Sequence, residues 1–186
     1  MMSFSIANSI LQWSAILLNL LLTIALLRQF NQLSDSIAEF SGMESGLETG
    51  SRAPDFEAET LTGETLTLAD YMGKVVSFIF VSTHCDACID KFPALNAFAD
   101  KAKQAGVEVV LVNTDDDKGT IAGLVQKHGV SLPVLVAPIE SNPFARNYRA
   151  EAVPSYCLLN PDSYIESAGL LGPKWEKQIT QAWTTV

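Results

Sequence analysis

The sequence predicts an α/β domain, with a central mixed sheet flanked by helices, carried behind an N-terminal transmembrane helix. Three observations lead there. An uncharged apolar run, "ILQWSAILLNLLLTIALL", fills residues 10–27. Beyond residue 50, short β-rich apolar runs alternate with stretches of helical periodicity, the pattern of a sheet covered by helices. The chain then closes with two adjacent strand-like runs and a helix, so the sheet should end in an antiparallel hairpin.

The apolar run is long enough to matter. At ~1.5 Å per residue it reaches roughly 27 Å, close to the thickness of a bilayer's hydrocarbon core. Gln12 and Asn19 are its only strongly polar members. Hydrophobic residues make up 48% of the 186, high for a wholly soluble domain. The preceding "MMSFSIANS" has no basic residue and the following "LLRQFNQL" no small-residue cleavage site, so the run reads as an uncleaved anchor rather than a signal peptide. Arg28 is the flanking cation, and by the positive-inside rule alone it would place its side in the cytoplasm. Phe30, Leu33, Ile37 and Phe40 continue a helical stripe, compatible with a homodimer seam or with a helix lying on the bilayer or the domain. Gly42, Gly46 and Gly50 then break the helix into a tether. The expected organisation is an anchor over 1–28, a juxtamembrane helix and linker over 29–49, and one domain over 50–186.

The formal net charge is −9, and from residue 50 onward 17 acidic side chains outnumber 11 basic ones. That balance argues against nucleic acid or anionic lipid surfaces as partners. The acidic run "TDDDKG" at 114–119 lacks the spacing of a calcium loop and reads as a solvated strand-to-helix connection.

Within the domain, two Thr-rich stretches about Thr62-Gly63 predict a hairpin. "KVVSFIFV" (74–81) is a continuous apolar run, as expected of a buried central strand. Residues 86–106 carry Ile89, Phe92, Leu95, Phe98, Ala99 and Ala102 on one helical side, with Pro93 expected to kink the helix. "VEVVLVN" (107–113) is a second buried strand, and "KGTIAGLVQKHG" a helix stopped by Gly129. "LPVLVA" predicts a short strand and "SNPFARNYRAE" a short helix, with Ser141 as its cap and Pro143 in its first turn. "SYCLLN" and "YIESAG" form the closing hairpin about Asp162-Ser163, and "PKWEKQITQAW" the last helix.

Cys85 and Cys88 fall where the first buried strand gives way to a helix. Unsatisfied helix N–H groups at that point favour a thiolate. The first thiol would be the exposed attacker and Cys88, one turn further in, the resolving thiol of a disulfide exchange. A C-x-x-C between a strand and a helix is a redox signal. The competing readings are a structural zinc site, which wants four ligands from Cys85, Cys88, Cys157, His84 and His128 without a second C-x-x-C, inert core thiols, and a peroxidatic cysteine. No cofactor-binding motif and no metal-ligand set is assigned. Pro154 follows Val153 just before a strand. A cis bond there would expose the Val153 backbone to an incoming peptide, whereas a trans proline would merely open the strand, and spacing alone leaves both open.

"APDFEAETLTGETLTLADYMGKVVSFIFVSTHCDACIDKFPAL", followed in order by "VVLVNTDDDKGTIAGLVQKHGV" and "FARNYRAEAVPSYCLLNPDSYI", resembles the TlpA/ResA-like branch of the thioredoxin superfamily over residues 50–183. Anchor, juxtamembrane helix and domain together are similar in layout to the MauD-like methylamine-utilisation proteins. The resemblance implies a thioredoxin-like fold on the extracytoplasmic side of the cell membrane. It also implies exchange of disulfides with exported proteins, and a membrane electron donor or acceptor. It implies Cys85 as nucleophile, Cys88 as resolver and Pro154 as a cis-proline.

The chain departs from that pattern in several places. His84 stands where Trp is usual, Lys91 where an acidic residue often follows the second cysteine, and Ile79 where thioredoxin buries a carboxylate. Asp90 and His84 are candidates to handle protons instead. Asp86, between the cysteines, disfavours a neighbouring thiolate, which makes the disulfide a poorer oxidant and points toward a reductive role. Cys157 reads as a small buried hydrophobe. Two alternative functions remain. A thiol peroxidase would want P-x-x-x-T-x-x-C, but Phe78 and Ser82 occupy its Pro and Thr positions. A copper metallochaperone would use Cys85, Cys88 and His84 as ligands.

Overall fold

A computed structural model of the chain describes residues 12–13, 16–23, 47–172 and 175. Val75–Val81 (β3), with β-branched or aromatic side chains at nearly every position, runs through the middle of the sheet and is buried from Val76 onward. Its parallel neighbour is Val107–Asn113 (β4), paired residue for residue from Val75↔Val107 to Val81↔Asn113. On the other side lies Ser155–Leu159 (β6), antiparallel, with Phe78 opposite Cys157. The predicted hairpin forms from Glu57–Thr60 (β1) and Thr65–Thr67 (β2), turning at Gly63 with φ +87, a value that suits glycine. Val134–Val136 (β5) lies parallel to β4 and antiparallel to β1, and Ile165–Leu170 (β7) closes the far side against β6. The seven-stranded order is β2-β1-β5-β4-β3-β6-β7.

Alternation along the strands builds two cores. Val76, Phe78 and Phe80 face an aromatic cluster in which Phe56 stacks on Phe144 at 3.8 Å between centroids, and Tyr71 meets Phe78 edge-on at 5.1 Å. Ile79 and Val81 face the other side, with Cys88, Phe92, Leu95 and Ile121. The helices divide accordingly. Asp86–Ile89 (α1), Phe92–Gln104 (α2) and Lys118–Lys127 (α3) cover the second face, while a 3-10 turn at Leu68–Tyr71 and Phe144–Asn147 (α4) cover the first.

Two local expectations are corrected. The helix expected over 86–106 is broken rather than kinked, and Pro93 lies in the first turn of α2, where a missing N–H costs nothing. Ser141 does not cap α4. Pro143 is the cap residue, and Asn142 Oδ1 accepts the Phe144 N–H at 2.9 Å. The last helix lies outside the described residues except for Trp175, which is helical and donates its indole N–H to the buried Ser77 hydroxyl at 3.0 Å.

Residues 50–53 add a short strap to the start of β7. Gly50 N–H donates to Ile165 O, Ile165 N–H to Ser51 O, and Ala53 N–H to Ser163 O, at 2.7 to 2.9 Å. The chain divides into two compact units, Met1–Phe40 and Ser41–Val186. In the first, residues 16–23 are helical and exposed. Most of the expected anchor and the stripe at 30–40 lie outside the described residues, and among those described no helix is long and apolar enough to cross a membrane.

Candidate active site

Because β3 and β4 run parallel in register, Val81 and Asn113 end side by side, and the loops that follow them emerge together. The loop after β3 carries residues 82–84 to Cys85, the N-cap of α1, whose sulfur accepts the Cys88 N–H at 3.2 Å. A donor aimed at that sulfur favours its thiolate form. Cys85 and Cys88 are joined in a disulfide with a Cα–Cα distance of 5.2 Å. Cys85 is half-buried and Cys88 fully buried. The Val153–Pro154 bond is cis, and the Val153 carbonyl oxygen lies 3.8 Å from Cys85 Sγ. The three residues singled out in the sequence, Cys85, Cys88 and Pro154, thus meet at one end of the sheet although nearly 70 positions separate the first and last.

A pair of this geometry exchanges disulfides, and comparison with known proteins agrees. The AhpC/TSA family profile matches residues 49–168. The thiol-disulfide oxidoreductase ResA of Bacillus subtilis (strain 168) is 31% identical over 128 residues, 69% of this chain and 70% of that one. ResA of Bacillus anthracis is 25% identical over 133 residues, 72% and 75% of the two chains. This chain belongs to the AhpC/TSA family, in its ResA/TlpA-like branch. The structure of a thiol:disulfide interchange protein DsbE from Chlorobium tepidum superimposes with a TM-score of 0.66 at 28% identity, covering 74% of this chain and 99% of that one. The thioredoxin domain of a Bacteroides vulgatus thiol-disulfide oxidoreductase shares the fold, with a TM-score of 0.65 at 22% identity over 73% and 98%. The fold is thioredoxin-like, and this ResA/TlpA-like chain is a thiol-disulfide oxidoreductase.

The residues around the pair sort by position. Ile79, where thioredoxin has its carboxylate, is fully buried among apolar side chains. Asp86 is exposed in the first turn of α1, and Asp90 is exposed at its C-cap, where its backbone N–H donates to the Asp86 and Cys88 carbonyls; among the described contacts neither carboxylate bonds a cysteine sulfur. Cys157 lies on the other face of the sheet, and burial pushes its thiol up to about 12. It is placed away from the redox pair, as a small apolar residue would be. Among the described residues, no group of three or more His, Cys, Asp or Glu is arranged to hold a metal ion.

Asp115 is the residue that sequence reading missed. It sits two positions past the end of β4, inside the acidic run taken for a solvated loop. Its Oδ2 accepts the Thr83 N–H at 2.5 Å and the Thr83 hydroxyl at 2.8 Å, and its Oδ1 accepts the Ser82 hydroxyl at 3.2 Å. His84 Nδ1 lies 3.5 Å from Oδ2. Burial raises the carboxyl's pKa, but the Thr83 and Ser82 hydrogen bonds and the His84 charge outweigh it and hold the group below the usual carboxylate range. The available signal was topological: an acid just beyond the strand that runs parallel to the one leading into C-x-x-C. Its neighbour Asp117 has a separate task, accepting the Thr120 N–H at 2.8 Å as the N-cap of α3.

Proposed function

We propose that the chain is a membrane-anchored reductase of disulfides in exported proteins, working through Cys85 and Cys88 beside Pro154. The observation that carries the reading is the asymmetry of the pair: a half-buried Cys85 at the Val153 carbonyl, and a fully buried Cys88 behind it. In the reduced protein the Cys85 thiolate attacks a substrate disulfide and joins one substrate sulfur, while the other leaves as a thiolate and takes up a proton. Cys88 then attacks Cys85 Sγ, releasing the second substrate thiol and leaving the Cys85–Cys88 disulfide. A membrane electron donor returns the two electrons. Pro154 holds the Val153 backbone toward the incoming peptide.

The anchor reading is supported by residues 16–23. Ile16, Leu17, Leu18, Leu20, Leu21 and Leu22 are each more than half exposed around a helix that has no charged face. Such a helix needs an apolar surround. The Thr23 hydroxyl donates to the Asn19 carbonyl at 2.9 Å, which satisfies it without water. The resemblance to TlpA/ResA-like proteins favours the extracytoplasmic side over the single Arg28 signal, and the MauD-like layout favours maturation of one dedicated exported partner. The domain division near residue 50 follows from the same reading.

The test is trapping. Cys88→Ala should accumulate partners as mixed disulfides on Cys85, and loss of that species in Cys85→Ser completes the assignment. Trapping that survives Cys85→Ser overturns it. A reduction potential of the pair near or below about −250 mV fits the reductive direction, whereas about −120 mV would reverse it. Hydrogen peroxide turnover or tight copper(I) binding would move the function to the peroxidase or metallochaperone alternative. Against the peroxidase, the Ser82 hydroxyl is already donated to Asp115.

A further inference from the structure

The segment that delivers Cys85 has little to hold it. Residues 82–84 follow the last residue of β3 and precede the first turn of α1, so neither sheet nor helix fixes them. Their side chains are partly or largely exposed, and the His84 side chain is 83% exposed. Locally, the Cys85 N–H closes a turn on the Ser82 carbonyl at 3.3 Å, and their other ties come mainly from across the sheet, on the loop after β4. Asp115 binds Ser82 Oγ, Thr83 N and Thr83 Oγ1, and it faces His84 Nδ1. A second tie runs within the loop, where His84 N–H donates to the Ser82 hydroxyl at 3.1 Å. Asp115 is itself placed by its neighbour, since Asn113 Nδ2 donates to the Asp115 backbone carbonyl at 3.0 Å. One carboxylate therefore bonds Ser82 and Thr83 and faces His84, the three residues immediately before the sulfur.

We infer that Asp115 is a positioning residue for disulfide exchange, holding residues 82–84 so that Cys85 Sγ stays between the Cys88 N–H and the Val153 carbonyl. The inference rests on Cys85 being the attacking thiol. It assigns the carboxylate a geometric task distinct from proton transfer, because Asp115 bonds the delivering loop and makes no hydrogen bond to either sulfur among the described contacts. Its negative charge works the other way: near a thiolate it disfavours ionisation. Position and charge can therefore be separated by substitution. Asp115→Ala removes both. Asp115→Asn removes the charge, but its amide oxygen can still accept from Thr83 and its NH2 can donate to the Ser82 oxygen.

The experiment uses the 186-residue chain, reduced and held in detergent, with oxidised glutathione as the disulfide probe. The Cys85 thiolate attacks glutathione disulfide and releases one glutathione thiolate. Cys88 then attacks Cys85 Sγ and releases the second. The rate of the first step is followed across pH, which gives a midpoint for thiolate formation and a plateau rate for the fully ionised thiol. Mass spectrometry locates the adduct. Asp115→Ala should lower the plateau rate about tenfold or more, the size of effect expected when a reacting atom is misplaced. Asp115→Asn should recover most of that rate while moving the midpoint to lower pH. Should Asp115→Ala fold poorly, Thr83→Val deletes one tie to Asp115, and Ser82→Ala deletes another together with the His84 N–H bond; each should lower the plateau about threefold. A plateau rate within about twofold of the parent in these variants, with only the midpoint or the melting temperature moved, overturns the positioning role. An adduct that persists in Cys85→Ser would overturn the nucleophile assignment instead, so the two failures are told apart.

Discussion

The sheet buries a cysteine on each face, and the two have opposite chemistry. Cys88 and Cys157 are both inaccessible to solvent. Cys157 lies mid-strand in β6, opposite Phe78 and within the aromatic cluster, where burial is the sole influence on its thiol and raises it. Cys88 lies on the helical face, one turn from a half-buried partner at the end of the sheet where two loops emerge. Burial does not separate a redox thiol from a packing thiol. The difference is that Cys88 has a partner sulfur with access to solvent, and Cys157 has none.

The strongest way to break this comparison is to exchange the roles. Cys85→Ser should reduce insulin-disulfide turnover to the uncatalysed background, while Cys157→Ala should stay within about twofold of the parent. A large loss in Cys157→Ala would put that thiol in the reaction. Next in size is the aromatic face itself. Phe78→Ala should cost about 3–5 kcal/mol in denaturant unfolding, and the glutathione equilibrium of the remaining folded protein should be unchanged. Smaller again is Cys157→Ser, which buries a hydroxyl and should cost about 1–3 kcal/mol, more than expected from size alone. With its thiol at about 12, native Cys157 should be about one part in 10^4 ionised at pH 8 and resist iodoacetamide until the chain is unfolded.

The smallest effect concerns acid stability. The Asp115 carboxyl is held below its ordinary value of 3.8. Its contribution is thus complete above that value and is lost as pH falls through the lower, folded-state one. Asp115→Asn should be less stable than the parent at pH 7, and its unfolding midpoint should fall less steeply below about pH 4.

Much of this was legible in the sequence because it is local. The continuous apolar run at 74–81 defines a buried strand, and C-x-x-C at its end defines a candidate pair. Gly63 and Pro154 mark a turn and a strand entry. What escaped depends on which strands lie side by side. The acidic run at 114–119 looks uniform in sequence, yet Asp115 reaches the cysteine loop, and Asp117 caps a helix. Only the parallel pairing of β3 with β4 brings Asp115 beside Thr83, 32 residues earlier. The two local misreadings have a similar cause. Ser141 and Asn142 are both good caps, and Pro93 suits either a kink or a new first turn, so composition could not choose between them.

The strap at residues 50–53 has a consequence for self-association. A sheet offers unpaired N–H and C=O groups along its outer strands, and these recruit strands from other molecules. Here the start of β7 is already bonded to the strap, Glu166 puts a charge on the stretch beyond, and a register shift between Leu158 and Leu159 disturbs its pairing with β6. The opposite border, β2, is three residues long. Copies crowded together on a surface would therefore find little bare edge on which to stack into a continuous sheet.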